Sequence, residues 1–168
     1  MIVLGVDPGS LRTGWGVIEC RGPKLLGLGC GVIQAGTSAK ELPLRLRAIH
    51  EQLSEVIATH RPEEMAVEDV FFAHNARSAL VLGQARGVCL LAGAAADIPI
   101  AAYSPALVKR SVAGRGQAPK GQLARIVAAM LQLSQLPPPD ATDALAIAIT
   151  HANATRARGL PHRPMVRR

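Results

Sequence analysis

Acidic residues nearly run out halfway along the chain. Residues 70–168 hold twelve Lys or Arg but three Asp or Glu, a balance of +9, while residues 1–69 hold seven against nine, a balance of −2. Two of those three late acids are Asp140 and Asp143, so the few that remain stand together. A strongly basic chain whose scarce acids cluster suggests a polyanion held by the periphery and a metal held at the centre. Cysteine is also scarce: Cys20, Cys30 and Cys89 are odd in number and contain no CxxC pair. A disulfide framework is thereby excluded, and reduced thiols packing as small hydrophobes are expected.

Neither a basic n-region nor a long apolar h-region opens the chain, so no signal peptide is expected. The most apolar stretch, residues 78–96, is interrupted by Gln84, Arg86 and several glycines, and reads as a buried helix rather than a membrane span. A cytoplasmic protein with no membrane partner is the expectation. No internal repeat is present. What the chain has is 49% hydrophobic residues in 168 positions, enough for one folded domain burying roughly two-thirds of its unfolded surface. Residues 1–155 are assigned to that domain. Residues 156–168, basic and carrying Pro161 and Pro164, are assigned to a disordered tail.

Carboxylates appear where strands should end. The apolar run Ile2-Val3-Leu4-Gly5-Val6 closes on Asp7 and is followed by Pro8-Gly9, the pattern of a buried strand bounded by a turn. Met65-Ala66-Val67 likewise closes on Glu68, and a third apolar segment opens with Asp140-Ala141-Thr142-Asp143. An ionised acid out of water is costly unless a cation or donors compensate it. Taken singly, Asp7 is explained by turn chemistry before Pro-Gly, and Asp140 by capping a helix. Taken jointly, four acids at the ends of three elements form a candidate divalent metal site. Acids crowded to about 4 Å repel one another unless a cation intervenes. Mg²⁺ and Mn²⁺ require such hard oxygen ligands, and paired ions can clamp the attacking and leaving oxygens of a phosphodiester.

The remaining pattern predicts an α/β fold. Strands are expected at residues 2–6, 13–19 and 25–33, joined by short turns as an antiparallel meander. Leu42, Leu46, Ile49, Leu53 and Val56 recur at helical spacing, giving an amphipathic helix over residues 41–60. A strand at residues 65–68, a long helix over 77–96 and a strand at 100–103 follow. Ser104-Pro105 starts a short helix, residues 113–119 read as a flexible loop, and further helices cover 120–133 and the segment from Asp140. Asp140 and Asp143, three apart, share a helix face.

Three strings, DPGSLRTGWGVIE, VEDVFFAHNARSALVLGQARGV and DATDALAIAITH, closely resemble the RuvC-type Holliday-junction resolvases, in that family's order and spacing as far as about His151. The resemblance implies a ribonuclease-H-like, five-stranded mixed sheet, three antiparallel strands plus two parallel, flanked by helices. It also implies a metal-dependent endonuclease in which two divalent ions, held by Asp7, Glu68, Asp140 and Asp143, serve paired nicks in four-way DNA. Phe71 is placed against bases at the crossover, although its neighbour Phe72 points to the other face of a strand and either ring could be the exposed one. Lys109 and Lys120, flanking the loop that contains Arg115, become phosphate contacts, with Arg77 a further one. The family forms a two-fold dimer through the long helix, whose Ala79, Gly83, Ala85, Gly87 and Gly93 give a smooth face, and works with branch-migration proteins of the RuvA and RuvB type. His151 is expected to pack or cap, without chemistry.

Three other readings compete. An actin-like or sugar-kinase ATPase also begins with a strand-ending Asp, but needs a duplicated domain for which 168 residues leave no room. A non-catalytic junction-binding module would keep the fold, and ribonuclease H itself would prefer an RNA–DNA hybrid.

Overall fold

The computed structural model describes residues 1–69, 76–114 and 121–157. Strands β1 (Ile2–Asp7), β2 (Arg12–Arg21) and β3 (Lys24–Gln34) form the antiparallel meander; β4 (Glu64–Glu68) pairs with β1 in parallel, and β5 (Ile100–Tyr103) with β4. The five-stranded sheet has the order β3-β2-β1-β4-β5. Helices α1 (Leu42–His60) and α2 (Ala76–Ala95) cover one face. The short helices α3 (Pro105–Ala113) and α4 (Gln122–Leu131) cover the other, together with the long α5 (Pro139–Ala157).

Side-chain alternation along the strands divides the core in two. Leu4 and Val6 of β1, Val17 of β2 and Met65 and Val67 of β4 pack with Ile49, Leu53 and Ile57 of α1 and Ala85, Cys89 and Ala92 of α2. Val3, Ile18 and Ala66 turn the opposite way and pack beneath α5, where every residue from Ala141 to Ala152 except Asp143 is buried. An alanine-rich helix can lie this close because the strands beneath it carry glycine. A Cβ built on Gly5 would stand 2.0 Å from the carbonyl oxygen of Ala144, one on Gly14 2.0 Å from that of Asp140, and one on Gly16 2.6 Å from the Leu145 side chain. The helix is thus seated diagonally over β1 and β2 on backbone contacts.

Most predicted elements agree with the structure to within a few residues, and Ser104 Oγ accepts from the Leu107 amide at 3.4 Å as the cap of α3. Three details differ. The buried stripe of α1 keeps Ile49 and Leu53 of the predicted set but takes Arg45 and Ile57 in place of Leu46 and Val56, with Arg45 turned inward. The long helix α2 is not a buried helix: Ala85, Cys89, Ala92 and Gly93 are buried, while Leu80 is 69% and Leu91 57% exposed. By length and mean hydropathy α2 could cross a membrane, yet here its inner face packs on the sheet and Arg86 reaches in to the Glu68 carbonyl. Finally, α5 continues through Ala157, and Arg156 donates to the carbonyls of Gly22 and Lys24 at 2.6 and 3.3 Å. The expected tail beyond that lies outside the described residues.

Candidate active site

Asp7 falls on the same face of β1 as Val3 and Gly5, so it points to the side that α5 covers. On parallel β4, Glu68 alternates with Ala66 and faces the same way, one step past the Val6–Val67 pair. Asp7 lies opposite Gly14 of β2, and Gly14 is pressed against the backbone of Asp140 in the first turn of α5. Strand pairing and one side-chain-free position therefore bring three chain segments to one corner of the sheet.

Electrostatics bear the proximity out. Burial, then repulsion from Glu68, Asp143 and Asp140, pushes the Asp7 carboxyl up from its ordinary 3.8 to about 7. Glu68 is raised by burial and by Asp143; Asp143 is raised by burial and by Asp140. Lys109 of α3 pulls both of the latter back down, which places its charge at the same corner. Asp140 is turned aside: its Oδ2 is 2.7 Å from Nε of Arg12. That oxygen is buried and accepts no aligned hydrogen bond, so the pair is held by charge alone.

Acids whose folded pKa is raised bind protons that the unfolded chain releases between about pH 4 and pH 7. The stability they contribute is complete below the unfolded value and is lost as pH rises through that window. Thermal melts in EDTA are expected to show a Tm several degrees lower at pH 7.5 than at pH 5, about 2–4 °C for each kcal/mol. An equal or higher Tm at pH 7.5 would contradict the crowding.

Among the described residues no three His, Cys, Asp or Glu side chains close on one point as a ready-made cation cage. The donor set nonetheless fits a hard divalent cation: oxygen ligands only, half-buried, with the Asp7, Glu68 and Asp143 carboxyls raised by burial and by one another. Of the other sequence candidates, Arg77 stands exposed in the first turn of α2, while Phe71, Arg115 and Lys120 lie outside the described residues. His151 packs: Nδ1 is 2.9 Å from the Tyr103 hydroxyl, and Nε2 contacts Glu64.

A family model described as crossover junction endodeoxyribonuclease RuvC matches residues 3–151. The chain belongs to the RuvC family. Proteins named crossover junction endodeoxyribonuclease RuvC from Idiomarina loihiensis and Sorangium cellulosum are 49% and 50% identical over 158 and 154 residues. Each alignment covers 92% of this chain, and 89% and 86% of the respective relative. Thermus thermophilus RuvC, solved in complex with Holliday junction substrate, superposes with a TM-score of 0.87 at 38% identity, covering 94% of this chain and 96% of that one. The yeast mitochondrial Holliday junction resolvase Ydc2 shares the fold, with a TM-score of 0.63 at 12% identity over 94% of this chain and 84% of its own.

Three arginines around the RuvC-type corner escaped the sequence reading. Arg12 shares a strand face with Gly14, and that alternation was the available signal. Arg86 donates from Nε to the Glu68 carbonyl at 3.1 Å and pairs with Asp69 at 3.3 Å, fixing the end of β4. Arg45, 8% exposed, donates from one terminal nitrogen to the carbonyl and hydroxyl of Ser10 at 3.0 and 3.2 Å. It ties α1 to the turn behind Asp7, and its place four residues before Ile49 on the buried stripe was its signature.

Proposed function

We propose that this protein is an endodeoxyribonuclease that resolves four-way DNA junctions by paired, symmetric nicks in strands of like polarity, during recombination and repair in the cytoplasm. The observation that carries the reading is the convergence of Asp7, Glu68, Asp140 and Asp143 on one corner of a RuvC-family sheet. These four would hold two Mg²⁺ or Mn²⁺ ions. Bound there, the ions supply positive charge to the attacking and leaving oxygens of the scissile phosphodiester, giving 5′-phosphate and 3′-hydroxyl ends.

The chain's own residues do the rest. The four carboxylates would hold the ions in place, and Arg45 and Arg86 hold the backbone segments that carry Asp7 and Glu68. Lys109 offers its charge beside Glu68 and Asp143, where a phosphate is drawn in. Lys120, Arg115 and Arg77 would serve as further phosphate contacts, and Phe71 would serve as a stacking partner for an unpaired base at the crossover. Two active sites come from a homodimer. Leu80, Gly83, Gly87 and Leu91 lie along one face of α2; both leucines are exposed, and a Cβ on either glycine would meet nothing within 4 Å. Such a small-residue face flanked by leucines supports a two-fold interface. Branch-migration proteins of the RuvA and RuvB type would deliver the junction.

Incubation with a synthetic four-way junction and Mg²⁺ or Mn²⁺ tests the reading. Paired nicks at symmetric positions are expected, with an RNA–DNA hybrid cut far more slowly. A shifted band that is never cut would leave a junction-binding module instead, and preference for the hybrid would indicate a ribonuclease H.

A further inference from the structure

Arg12 and Gly14 are two residues apart on β2 and therefore emerge on the same face of the sheet. Because Gly14 has no side chain, the start of α5 rests directly on the strand, and the Asp140 carboxylate arrives beside Arg12. The guanidinium Nε stands 2.7 Å from Oδ2, with the Arg12 side chain 52% exposed and that of Asp140 31%. Oδ2 takes no aligned hydrogen bond, and half-exposed pairs held by charge alone are weak and easily exchanged. The guanidinium nevertheless stands against one of the two oxygens of that carboxylate. Two positive charges do not share one carboxylate oxygen at that range without strong repulsion. About half of the Arg12 side chain is open to solvent, where a phosphate could reach it.

We propose that Arg12 is a resident counter-ion of Asp140, displaced when a divalent ion takes that carboxylate and then available to the DNA backbone. The inference rests on the reading of Asp140 as a metal ligand. It couples metal loading and DNA engagement: a cation at Asp140 frees Arg12 for the backbone, and a phosphate that takes Arg12 frees Asp140 for the cation. It also predicts effects of opposite sign on the two ligands, which a merely structural arginine would not produce.

Binding of Mn²⁺ to the DNA-free protein, followed by loss of the free-ion electron paramagnetic resonance signal, gives the first readout. Arg12→Gln is expected to tighten Mn²⁺ about three- to tenfold, the scale of one screened charge. Junction affinity in Ca²⁺, measured by fluorescence anisotropy, is expected to weaken about three- to tenfold, with the salt slope reduced by about one. Arg12→Lys keeps the charge without the fork and should stay near wild type in the Mn²⁺ titration. Unchanged or weaker Mn²⁺ binding by Arg12→Gln would overturn the proposal, as would unchanged junction affinity. Asp140→Asn separates this failure from that of the underlying reading. If it abolishes one Mn²⁺ site while Arg12→Gln moves nothing, only the role of Arg12 falls; if it leaves Mn²⁺ binding and cleavage intact, Asp140 is not a ligand and both fall.

Discussion

Asp7→Asn is expected to abolish junction cleavage, slowing it on the order of a thousandfold or more, while junction binding stays within about twofold of wild type. A thousandfold corresponds to about 4 kcal/mol of transition-state stabilisation, a plausible share for the one carboxylate that three others crowd. The substitution keeps the shape of the side chain and removes only its charge, so the sheet has no reason to rearrange. It should also make the metal-free protein more stable at neutral pH. Asp7 titrates near 7 in the fold against an ordinary 3.8, so its ionised form opposes folding by a few kcal/mol, and asparagine removes that opposition. Melts of both proteins in EDTA, combined with single-turnover cleavage of a synthetic junction, check the two halves together. At pH 8 the variant should melt several degrees higher, and the difference should shrink as pH falls, nearly vanishing only below about pH 4, where Asp7 is protonated in the folded and the unfolded chain alike. A variant that cleaves at the wild-type rate, or is no more stable at pH 8, would remove Asp7 from the centre of the site.

That double effect explains why the acids could be found from sequence at all. A carboxylate at the end of an apolar strand is a local contradiction, and such contradictions mark functional positions. Asp7 and Glu68 carry the contradiction in their immediate neighbours, so five residues of context suffice. Strand alternation then gives their shared face. The arginines carry no such mark. Arg45 looks like any polar residue of an amphipathic helix until the helix is rotated against the sheet, and that rotation is a property of the packed layers. Arg12 acquires its role from a helix start far along the chain. The glycines of α2 show the same limit: Gly93 packs against Met65 and Ile100 of its own sheet, while Gly83 and Gly87, indistinguishable from it in sequence, face open space. Burial is decided by which partner each face meets, and the α2 face with both leucines exposed meets none among the described residues.

Substitution of the strand glycines should have effects as large as that of Asp7, through packing instead of charge. Gly5→Ala puts a methyl 2.0 Å from the Ala144 carbonyl oxygen, 2.8 Å from the Ala148 nitrogen and 2.9 Å from its Cβ. All three atoms belong to the buried middle of α5, two of them backbone, so no side-chain rotation relieves the clash and the helix must lift. A cost of about 3 kcal/mol or more is expected, the upper end of overpacking in a close-packed core, lowering Tm by about 6–12 °C. Gly14→Ala meets an equal 2.0 Å contact at the Asp140 carbonyl, but at the first turn of α5, where a helix end yields more readily than its centre. Its expected signature is therefore different: a smaller loss of Tm, with cleavage reduced on the order of a hundredfold because Asp140 and Asp143 are displaced by a fraction of the clash. Denaturation midpoints measured beside single-turnover cleavage would separate the two. If Gly14→Ala cleaves like wild type despite its lowered Tm, the seating of α5 on β2 supports the fold alone and does not position the carboxylates.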